Sequence, residues 1–331
     1  MNRAPGTVAG VQAGLLLVAL VASLTVGAAD IPLRALLAAL GSGGDADVLL
    51  ILREIRLPRA LLAIAIGAGL GLSGAALQAL LRNPLAEPGV VGISATGALG
   101  AVLAFYSGFS ARFALALPLG GLFGALAGTL LILRLTRGSG ASLALILAGV
   151  ILTTFASAGT SLVLSLAPNP YAAYEIIFWL MGSLADRSLD HVLLAVPFIG
   201  AGVWLLLHAA RDLEALALGE DTARSLGVSV ARLRVQVVVG TALAVGPGVA
   251  VAGFIGFVGL LVPHALRPFV GSRPQRLLPQ CALGGAVLTL LADLGCRLMP
   301  TTGELKLGIV TALLGAPYFL YLLTRERALH A

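Results

Sequence analysis

The chain has 331 residues, of which 59% are hydrophobic and only 11% are charged. Soluble domains carry about 25% charged residues, so this chain has too few polar groups to cover a water-facing surface. Its net charge of +6 comes from scattered arginines and one lysine, Lys306. There is no basic stripe with interleaved aromatic residues, the pattern that follows a nucleic-acid backbone. The composition therefore excludes a soluble protein and argues against a nucleic-acid partner.

The cysteines and histidines indicate no metal or redox centre. On one helix, Cys281 and Cys296 would lie about 22 Å apart, which is beyond the reach of a disulfide. The four histidines, at positions 191, 208, 264 and 330, lack the spacing of metal ligands. We therefore expect no catalytic residue, no metal site and no cofactor bound by this chain.

Apolar runs without charges predict about ten membrane-spanning helices. A span needs ~20 apolar residues. The predicted spans, free of charges except for Arg232 and Arg234 at the start of the seventh, are 4–29, 60–81, 88–111, 113–133, 141–166, 191–210, roughly 232–252, 253–266, 277–292 and 307–324. We interpret the first as a retained helix rather than a cleaved signal peptide. No linker separates the runs. The fold class is therefore expected to be an all-α polytopic membrane protein, with one transmembrane domain over residues 1–331.

One apolar stretch is too long for a single span. It extends over residues 235–266 and contains Gly246, Pro247 and Gly248. Because proline removes a helix hydrogen bond and glycine disfavours helix, we predict that this tripeptide breaks the helix. The stretch is accordingly divided into two spans after residue 252.

The arginines indicate how the spans are oriented. An even number of spans places both termini on one side of the membrane. If that side is the cytoplasm, thirteen of the 21 cations lie in cytoplasmic segments, Arg3, Arg325 and Arg327 among them. Cytoplasmic loops carry the excess of positive residues. Both termini are therefore predicted to be cytoplasmic.

Two glycine series predict close helix packing. Gly120, Gly124 and Gly128 recur every four residues, and Gly67 and Gly71 repeat the same spacing. Such faces let two backbones approach closely within a membrane. Packing inside one subunit is favoured over a dimer seam.

An arginine-rich segment opens the second span on the predicted outer face. It contains Arg53, Arg56 and Arg59, with Pro58 at a position that suits a first helical turn. One interpretation is that the arginines extend from the helix end toward water. The other is a cationic patch for acidic groups on an extracytoplasmic partner, and Arg297 could join that patch.

The longest charged stretch, residues 211–234, is predicted to be cytoplasmic. Asp212 could cap a short helix that Gly219 ends. Glu220 and Asp221 favour the start of a second short helix, which Gly227 closes. An ordinary connection would be shorter, so a docking site for a cytoplasmic protein is favoured over a plain surface loop.

These segments resemble the FecCD permease family, the membrane subunits of iron-siderophore, haem and vitamin B12 importers. The matches run in order along nearly the whole chain. They are Arg56-Leu57-Pro58-Arg59, Gly74-Ala75-Ala76-Leu77-Gln78, Asn83-Pro84-Leu85-Ala86-Glu87-Pro88-Gly89, Trp179-Leu180-Met181-Gly182-Ser183-Leu184, residues 218–228, residues 253–264 and Gly315-Ala316-Pro317.

The resemblance implies a type II ABC importer permease of ten helices in the bacterial inner membrane. It implies a homodimer with a central path, surrounded by lipid. Two cytoplasmic ABC ATPase subunits would use ATP and Mg, and a periplasmic binding protein would deliver the substrate. Iron chelates are the commonest cargo of this family. A ferric siderophore is therefore placed first, with haem and vitamin B12 as alternatives.

The resemblance also implies roles for particular residues. Arg56, Arg59 and Arg297 correspond to salt-bridge partners for glutamates of the binding protein. The glycines named above, with Gly246, Pro247 and Gly248, are assigned to helix packing and gating. The residues assigned to coupling with the ATPase are Asp212, Leu213, Leu218, Gly219, Glu220, Asp221, Arg224, Leu226 and Gly227.

Two other classes of membrane protein were weighed. A secondary transporter should carry ionisable groups within its spans. The predicted spans contain almost none. Asp293 is the main exception, and Glu87 lies in a loop. An intramembrane serine protease could use the GxSG pattern of residues 71–74, although packing glycines produce that pattern readily. Lys306 lacks the surroundings of a phosphate-binding loop, so ATP hydrolysis is expected in a partner.

Overall fold

The structure is a computed structural model that describes residues 5–27, 31–40, 45–109, 113, 115–137, 142–167, 170–299 and 303–330. Arg3, which contributes to the predicted orientation, lies outside this range. All regular elements in the described part are helices. In chain order the α-helices are α1 (Pro5–Thr25), α2 (Leu33–Leu40), α3 (Ala46–Ile51), α4 (Leu57–Leu81), α5 (Ile93–Tyr106), α6 (Ala116–Leu135), α7 (Ser142–Ser165), α8 (Pro170–Leu180), α9 (Leu189–His208), α10 (Ala210–Ala217), α11 (Glu220–Ser225), α12 (Val230–Ala252), α13 (Val258–Val270), α14 (Pro274–Leu298) and α15 (Leu307–His330). A π-helical segment (Leu52–Arg56) joins α3 to α4, and a 3₁₀ turn (Pro88–Val91) precedes α5.

The membrane helices agree with the predicted spans. Among the described residues, seven helices are long and apolar enough to cross a membrane, and three shorter apolar helices lie at Ile93–Tyr106, Val258–Val270 and Leu307–Leu320. Each of the ten coincides with one apolar run of the sequence. The prediction of about ten membrane helices in an all-α fold is confirmed. The sequence did not predict the short helices α2, α3 and α8 as elements.

The break in the long apolar stretch is not where the sequence placed it. Helix α12 continues through Gly246, Pro247 and Gly248, and all three are buried. The chain leaves the helix at Gly253, which has a φ of +75°. Neighbouring helices pack around the tripeptide, and a proline in a membrane helix is tolerated when its surroundings satisfy the freed backbone groups. The predicted break at Gly246–Gly248 is therefore wrong, although the division after residue 252 is right.

The true break is stabilised by the end of α8. The backbone N–H of Ser183 donates to the carbonyl of Ala252 at 2.8 Å, and that of Phe254 donates to the carbonyl of Leu180 at 3.4 Å. A side chain at Gly253 would meet the carbonyl oxygen of Trp179. Glycine is needed there for both its positive φ and this close approach.

Helix α4 is the centre of the bundle and packs against α9, α12, α13 and α14. Its glycines allow these approaches. Gly67 and Gly71 lie against the α14 backbone at Gly285 and Cys281. The other glycine series, Gly120, Gly124 and Gly128, lies against α5 at Thr96, Gly100 and Ala104. Both series therefore pack inside one subunit.

Replacement of Gly74 by alanine tests this packing. A Cβ at Gly74 would meet the backbone of Gly259 on α13, and overpacking costs typically about 1–3 kcal/mol. We expect Gly74→Ala to lower the thermal unfolding midpoint of the protein purified in detergent. Gly200→Ala is the matched control because that glycine has open space around it. Equal midpoints for the two variants would contradict the packing argument.

Candidate coupling segment, groove and arginine cluster

Residues 210–227 form a compact projection at one end of the bundle, which we call the knob. Helices α10 and α11 are joined at Gly219, with a φ of +118°, and the chain turns again at Gly227, with a φ of +85°. Both glycines were predicted to end short helices. Asp212 does not cap α10, because Ala209 holds that position directly after α9. Asp212 lies instead in the first turn, where its charge favours the helix.

One side of the knob packs on the bundle and the other is exposed. Leu213 and Leu216 are fully buried, whereas Leu218 and Leu226 are 68% and 62% exposed. These two exposed leucines flank α11. Within α11, Arg224 forms ion pairs of 3.2 Å with Glu220 and 3.5 Å with Asp221. The exposed side therefore combines apolar and charged groups on a segment that is too polar to lie in lipid.

The coupling residues predicted from the sequence divide between these two sides. Leu213 is buried and packs α10 against the bundle. The remaining eight are at least partly exposed: Asp212, Leu218, Gly219, Glu220, Asp221, Arg224, Leu226 and Gly227. Contact of these residues with an ATPase stays a prediction.

An open groove of about 710 Å³ follows α5 and α7. Hydroxyl groups recur along its wall at Ser94, Thr153, Thr154, Ser157, Thr160 and Ser161. On α7 they fall at 153/154, 157 and 160/161, so successive groups are three or four residues apart, which is the spacing of one helix face. A different face of α7 exposes Ile151 and Phe155 at 64% and 73%. Thr154 and Thr160 donate to carbonyls of their own helix, those of Val150 at 2.9 Å and Ala156 at 3.0 Å. Because their oxygens can still accept hydrogen bonds, we expect the hydroxyl face to meet water or protein and the apolar face lipid.

A pattern in the sequence indicates this groove, although the apolar runs do not predict it. Hydroxyl residues recur every three or four positions in the apolar run 141–166. Their spacing could have indicated a polar face on that span.

Glu87 lies at the knob end of the groove, in the connection between α4 and α5. Of the groove-lining residues that the structure describes, Glu87 alone carries a charge. Burial raises the pKa of the Glu87 carboxyl, whereas a hydrogen bond from the backbone N–H of Phe257 acts in the opposite direction. The other groove-lining residues in the described part of the chain are neutral.

At the bundle end opposite the knob, Arg59 and Arg297 share one buried carboxylate. Arg59 Nε donates to Asp293 Oδ1 at 2.9 Å, and Arg297 donates to Asp293 Oδ2, also at 2.9 Å. Arg59 forms a second ion pair with Glu304. We call these four residues the arginine cluster. It joins α4 and α14 to the segment before α15.

Helix α1 completes this end of the bundle. The Arg297 side chain donates to the Ser23 carbonyl at 3.0 Å, and Arg56 donates to the Leu24 carbonyl at 2.6 Å. Both acceptors lie near the end of α1. The arginines therefore bind carbonyl oxygens at a helix C-terminus, the negative end of its dipole.

The three arginines predicted to form a docking patch are largely buried. Arg56 is 4% exposed and Arg59 is 8% exposed. The Arg297 side chain is 9% exposed, whereas that of Arg53 is 72% exposed. The cluster therefore does not match the picture of arginines extending freely toward water. Docking of a binding protein on Arg56, Arg59 and Arg297 stays a prediction.

Removal of the shared carboxylate should destabilise the protein. Breaking a buried ion pair by loss of one partner costs about 3–5 kcal/mol, and Asp293 is completely buried between two arginines. We expect Asp293→Asn to lower the unfolding midpoint in detergent strongly. Asp47→Asn removes the same charge from an exposed position on α3 and serves as the control. A midpoint equal to that control would show that the cluster does not hold these helices together.

Comparison with known proteins identifies the family. Residues 15–325 match the FecCD transport family. The chain is 40% identical to the hemin transport system permease protein HmuU of Yersinia pestis, over 83% of each chain. It is also 40% identical to the vitamin B12 import system permease protein BtuC of Klebsiella pneumoniae, over 95% of this chain and 92% of that protein.

A solved structure has the same fold. It is an inward-facing conformation of a metal-chelate type ABC transporter, with a TM-score of 0.87 and 34% sequence identity. The likeness covers 97% of this chain and 100% of that one. The chain therefore belongs to the FecCD transport family and is a membrane-embedded permease subunit of an ABC importer.

Proposed function

We propose that two copies of this chain import a ferric siderophore or another iron chelate across the bacterial inner membrane. Two cytoplasmic ATPase subunits would supply the energy from ATP and Mg, and a periplasmic binding protein would deliver the cargo. The observation that carries this proposal is the hydroxyl-lined groove on α5 and α7. Because of this groove, the membrane helix α7 has a polar face as well as an apolar face.

Formation of a dimer by two copies of this chain would explain the polar surface of the groove. In a two-fold symmetric dimer the same surface of each subunit meets at the interface. Two facing grooves would enclose a path between the subunits, with hydroxyls available to water or cargo. The wall carries few charges, so it would hold the cargo weakly. High affinity would then belong to the binding protein.

The relatives favour a metal chelate as cargo. HmuU is named for hemin, BtuC for vitamin B12, and the solved relative for a metal chelate. All three names refer to a metal held by an organic ligand. Iron chelates rank first because they are the commonest cargo of the family, and haem and cobalamin are the alternatives.

The transport cycle would be one of alternating access. The binding protein would dock at the arginine-cluster end, on the periplasmic side. The exposed side of the knob would bind the ATPase on the cytoplasmic side. ATP-driven movement of the ATPases would displace the knob and open the path to one side at a time.

Substitution of the exposed knob leucines tests the ATPase contact. Leu218→Ser and Leu226→Ser together remove two exposed apolar side chains that flank α11, and full burial of a leucine side chain contributes about 1.5–3 kcal/mol. We expect a P-loop ATPase to co-purify with the tagged chain from membranes and to be lost with this double variant. Leu37→Ser changes a leucine of similar exposure, 61%, on α2 and should retain the ATPase.

The same preparations, reconstituted in proteoliposomes with the binding protein, distinguish the cargo. ATP-dependent uptake of a ferric siderophore would support the first choice. Uptake of haem or cobalamin alone would replace it with the corresponding alternative. Absence of any co-purifying ATPase, together with ion-driven uptake, would overturn the proposed function.

A substitution of Glu304 tests docking without removal of a buried arginine. The Glu304 side chain is 28% exposed and forms an ion pair with Arg59. If a glutamate of the binding protein pairs with Arg59, Glu304 competes with it. Glu304→Gln should then tighten binding of the purified binding protein to the transporter in nanodiscs severalfold, since tenfold corresponds to about 1.4 kcal/mol. Asp47→Asn is the charge control, and unchanged affinity for Glu304→Gln would count against docking through Arg59.

A further inference from the structure

A basic cavity of about 620 Å³ lies where the end of α6 meets α11 and the start of α12. Three arginines from these three parts of the chain line it, Arg137, Arg224 and Arg234, and Glu220 is the acidic residue of its described lining. Arg224 is engaged by Glu220 and by Asp221 within α11. Arg137 belongs to none of the ion pairs among the described residues. The lining therefore has an excess of positive charge.

The start of α12 adds to this positive charge. Ser229 holds the N-cap position, lines the cavity together with Val230 and Ala231, and makes no hydrogen bond from its side chain to the first turn. The first N–H groups of a helix have no acceptor within it, and they favour an anion such as a phosphate. Arg234 lies about one turn further along α12 and is only 9% exposed. The cavity thus combines a helix N-terminus with a largely buried guanidinium.

An apolar groove continues from the basic cavity along the membrane part of α12. This groove, of about 650 Å³, lies between α9 and α12, and its wall includes Trp204, Leu205 and Val239. Ala231 and Val235 line both the cavity and the groove. From Ala231 to Val239 the groove follows α12 for about 12 Å, which is most of the ~15 Å of hydrocarbon in one leaflet. The two features form one continuous surface, charged at one end and apolar along its length.

Trp204 indicates the depth of this surface in the membrane. It lies four residues before the end of α9 and is 58% exposed. Tryptophan is enriched where the hydrocarbon meets the headgroups. Arg137, by contrast, lies beyond the end of α6. The basic cavity is therefore at the level of the lipid headgroups, and the apolar groove is at the level of the acyl chains.

We propose that this surface binds one anionic phospholipid, with its phosphate in the basic cavity and an acyl chain in the apolar groove. We call the cavity and the groove together the lipid site. Basic pockets between membrane helices recognise the headgroups of anionic lipids such as cardiolipin. A soluble phosphate would fill the cavity but leave the apolar groove uncovered. This inference goes beyond the proposed function and takes from it only the orientation, which places the lipid in the cytoplasmic leaflet.

A general attraction between cytoplasmic arginines and anionic lipid is the alternative explanation. Arginines collect on the cytoplasmic side of membrane proteins whether or not they form a site. Such an attraction depends on the number of arginines, whereas a site depends on their position. Arg276 on α14 is exposed and lies near Pro274, which shares a pocket with Ala217 of the knob. It is therefore a matched arginine at the same end of the bundle but outside the lipid site.

The first test uses Trp204 as a reporter of the lipid in the groove. The chain contains two tryptophans, so Trp179→Phe leaves Trp204 alone. The full-length chain is reconstituted in phosphatidylcholine vesicles that contain either phosphatidylglycerol or phosphatidylcholine with brominated acyl chains, which quench tryptophan on contact. Phosphatidylglycerol should bind beside Trp204 at least fivefold more tightly. Equal quenching by the two brominated lipids, or the same preference in Trp204→Phe, would overturn the inference.

A substitution at Arg137 tests the position of the charge. Arg137 is exposed, so its replacement should leave the fold intact. Arg137→Gln should lower the preference for phosphatidylglycerol about fivefold, the effect of one arginine beside an anionic lipid. Arg276→Gln should leave the preference unchanged. An equal loss in both variants would show a general charge effect and overturn the inference.

A soluble competitor distinguishes a lipid from a free phosphate. Millimolar glycerol phosphate has the charged part of the lipid without its chains. Compared with sodium chloride at equal ionic strength, it should not displace brominated phosphatidylglycerol from Trp204. Displacement would assign the cavity to a soluble phosphate and overturn the lipid as its occupant.

The complete transporter provides a second readout. The phospholipids that remain after detergent extraction from bacterial membranes are identified and counted by mass spectrometry. The unaltered chain and Arg276→Gln should retain anionic phospholipid, and Arg137→Gln should retain severalfold less. Equal retention in all three would overturn the inference. None of these measurements needs ATP or cargo, so failure of the proposed function is recognised separately, by the absence of a co-purifying ATPase.

Discussion

The hydrocarbon core of a membrane offers no water to polar groups, so each must find a partner within the protein. Three features of this chain follow from that constraint. The backbone break after α12 is bridged by hydrogen bonds to Leu180 and from Ser183. Asp293 is completely buried because two arginines pair with it. The hydroxyls of Thr153, Thr154 and Thr160 on α7 donate to backbone carbonyls.

Close helix packing connects these features through α4. Different glycines of this helix lie against α12, α13 and α14, so three neighbours approach its backbone. Its first turn carries Arg59 of the arginine cluster, and Arg82 at its other end binds the knob. A helix of 25 residues is about 37 Å long. One rigid element therefore spans the distance between the two candidate partner surfaces.

The sequence predicted the features that depend on local chemistry. Apolar runs located the ten membrane helices, and Gly219 and Gly227 were expected to end the short helices of the knob. The break in the long stretch depends instead on tertiary contacts. Gly246 and Gly253 are both glycines, but only Gly253 needs a positive φ and lies against the Trp179 carbonyl. Likewise, sequence position suggested the side of the membrane for Arg56 and Arg59, but their burial depends on partners distant in the sequence.

The distribution of charge also indicates where energy can enter. Ion-driven transport requires ionisable groups that an ion can reach within the membrane. The described lining of the groove contains one carboxylate, Glu87, and it lies at the knob end. The Asp293 carboxylate is enclosed by its arginines. Neither arrangement forms a series of ion sites across the membrane. The knob, by contrast, exposes charged and apolar groups outside the apolar bundle, as expected of a surface that receives work from another subunit.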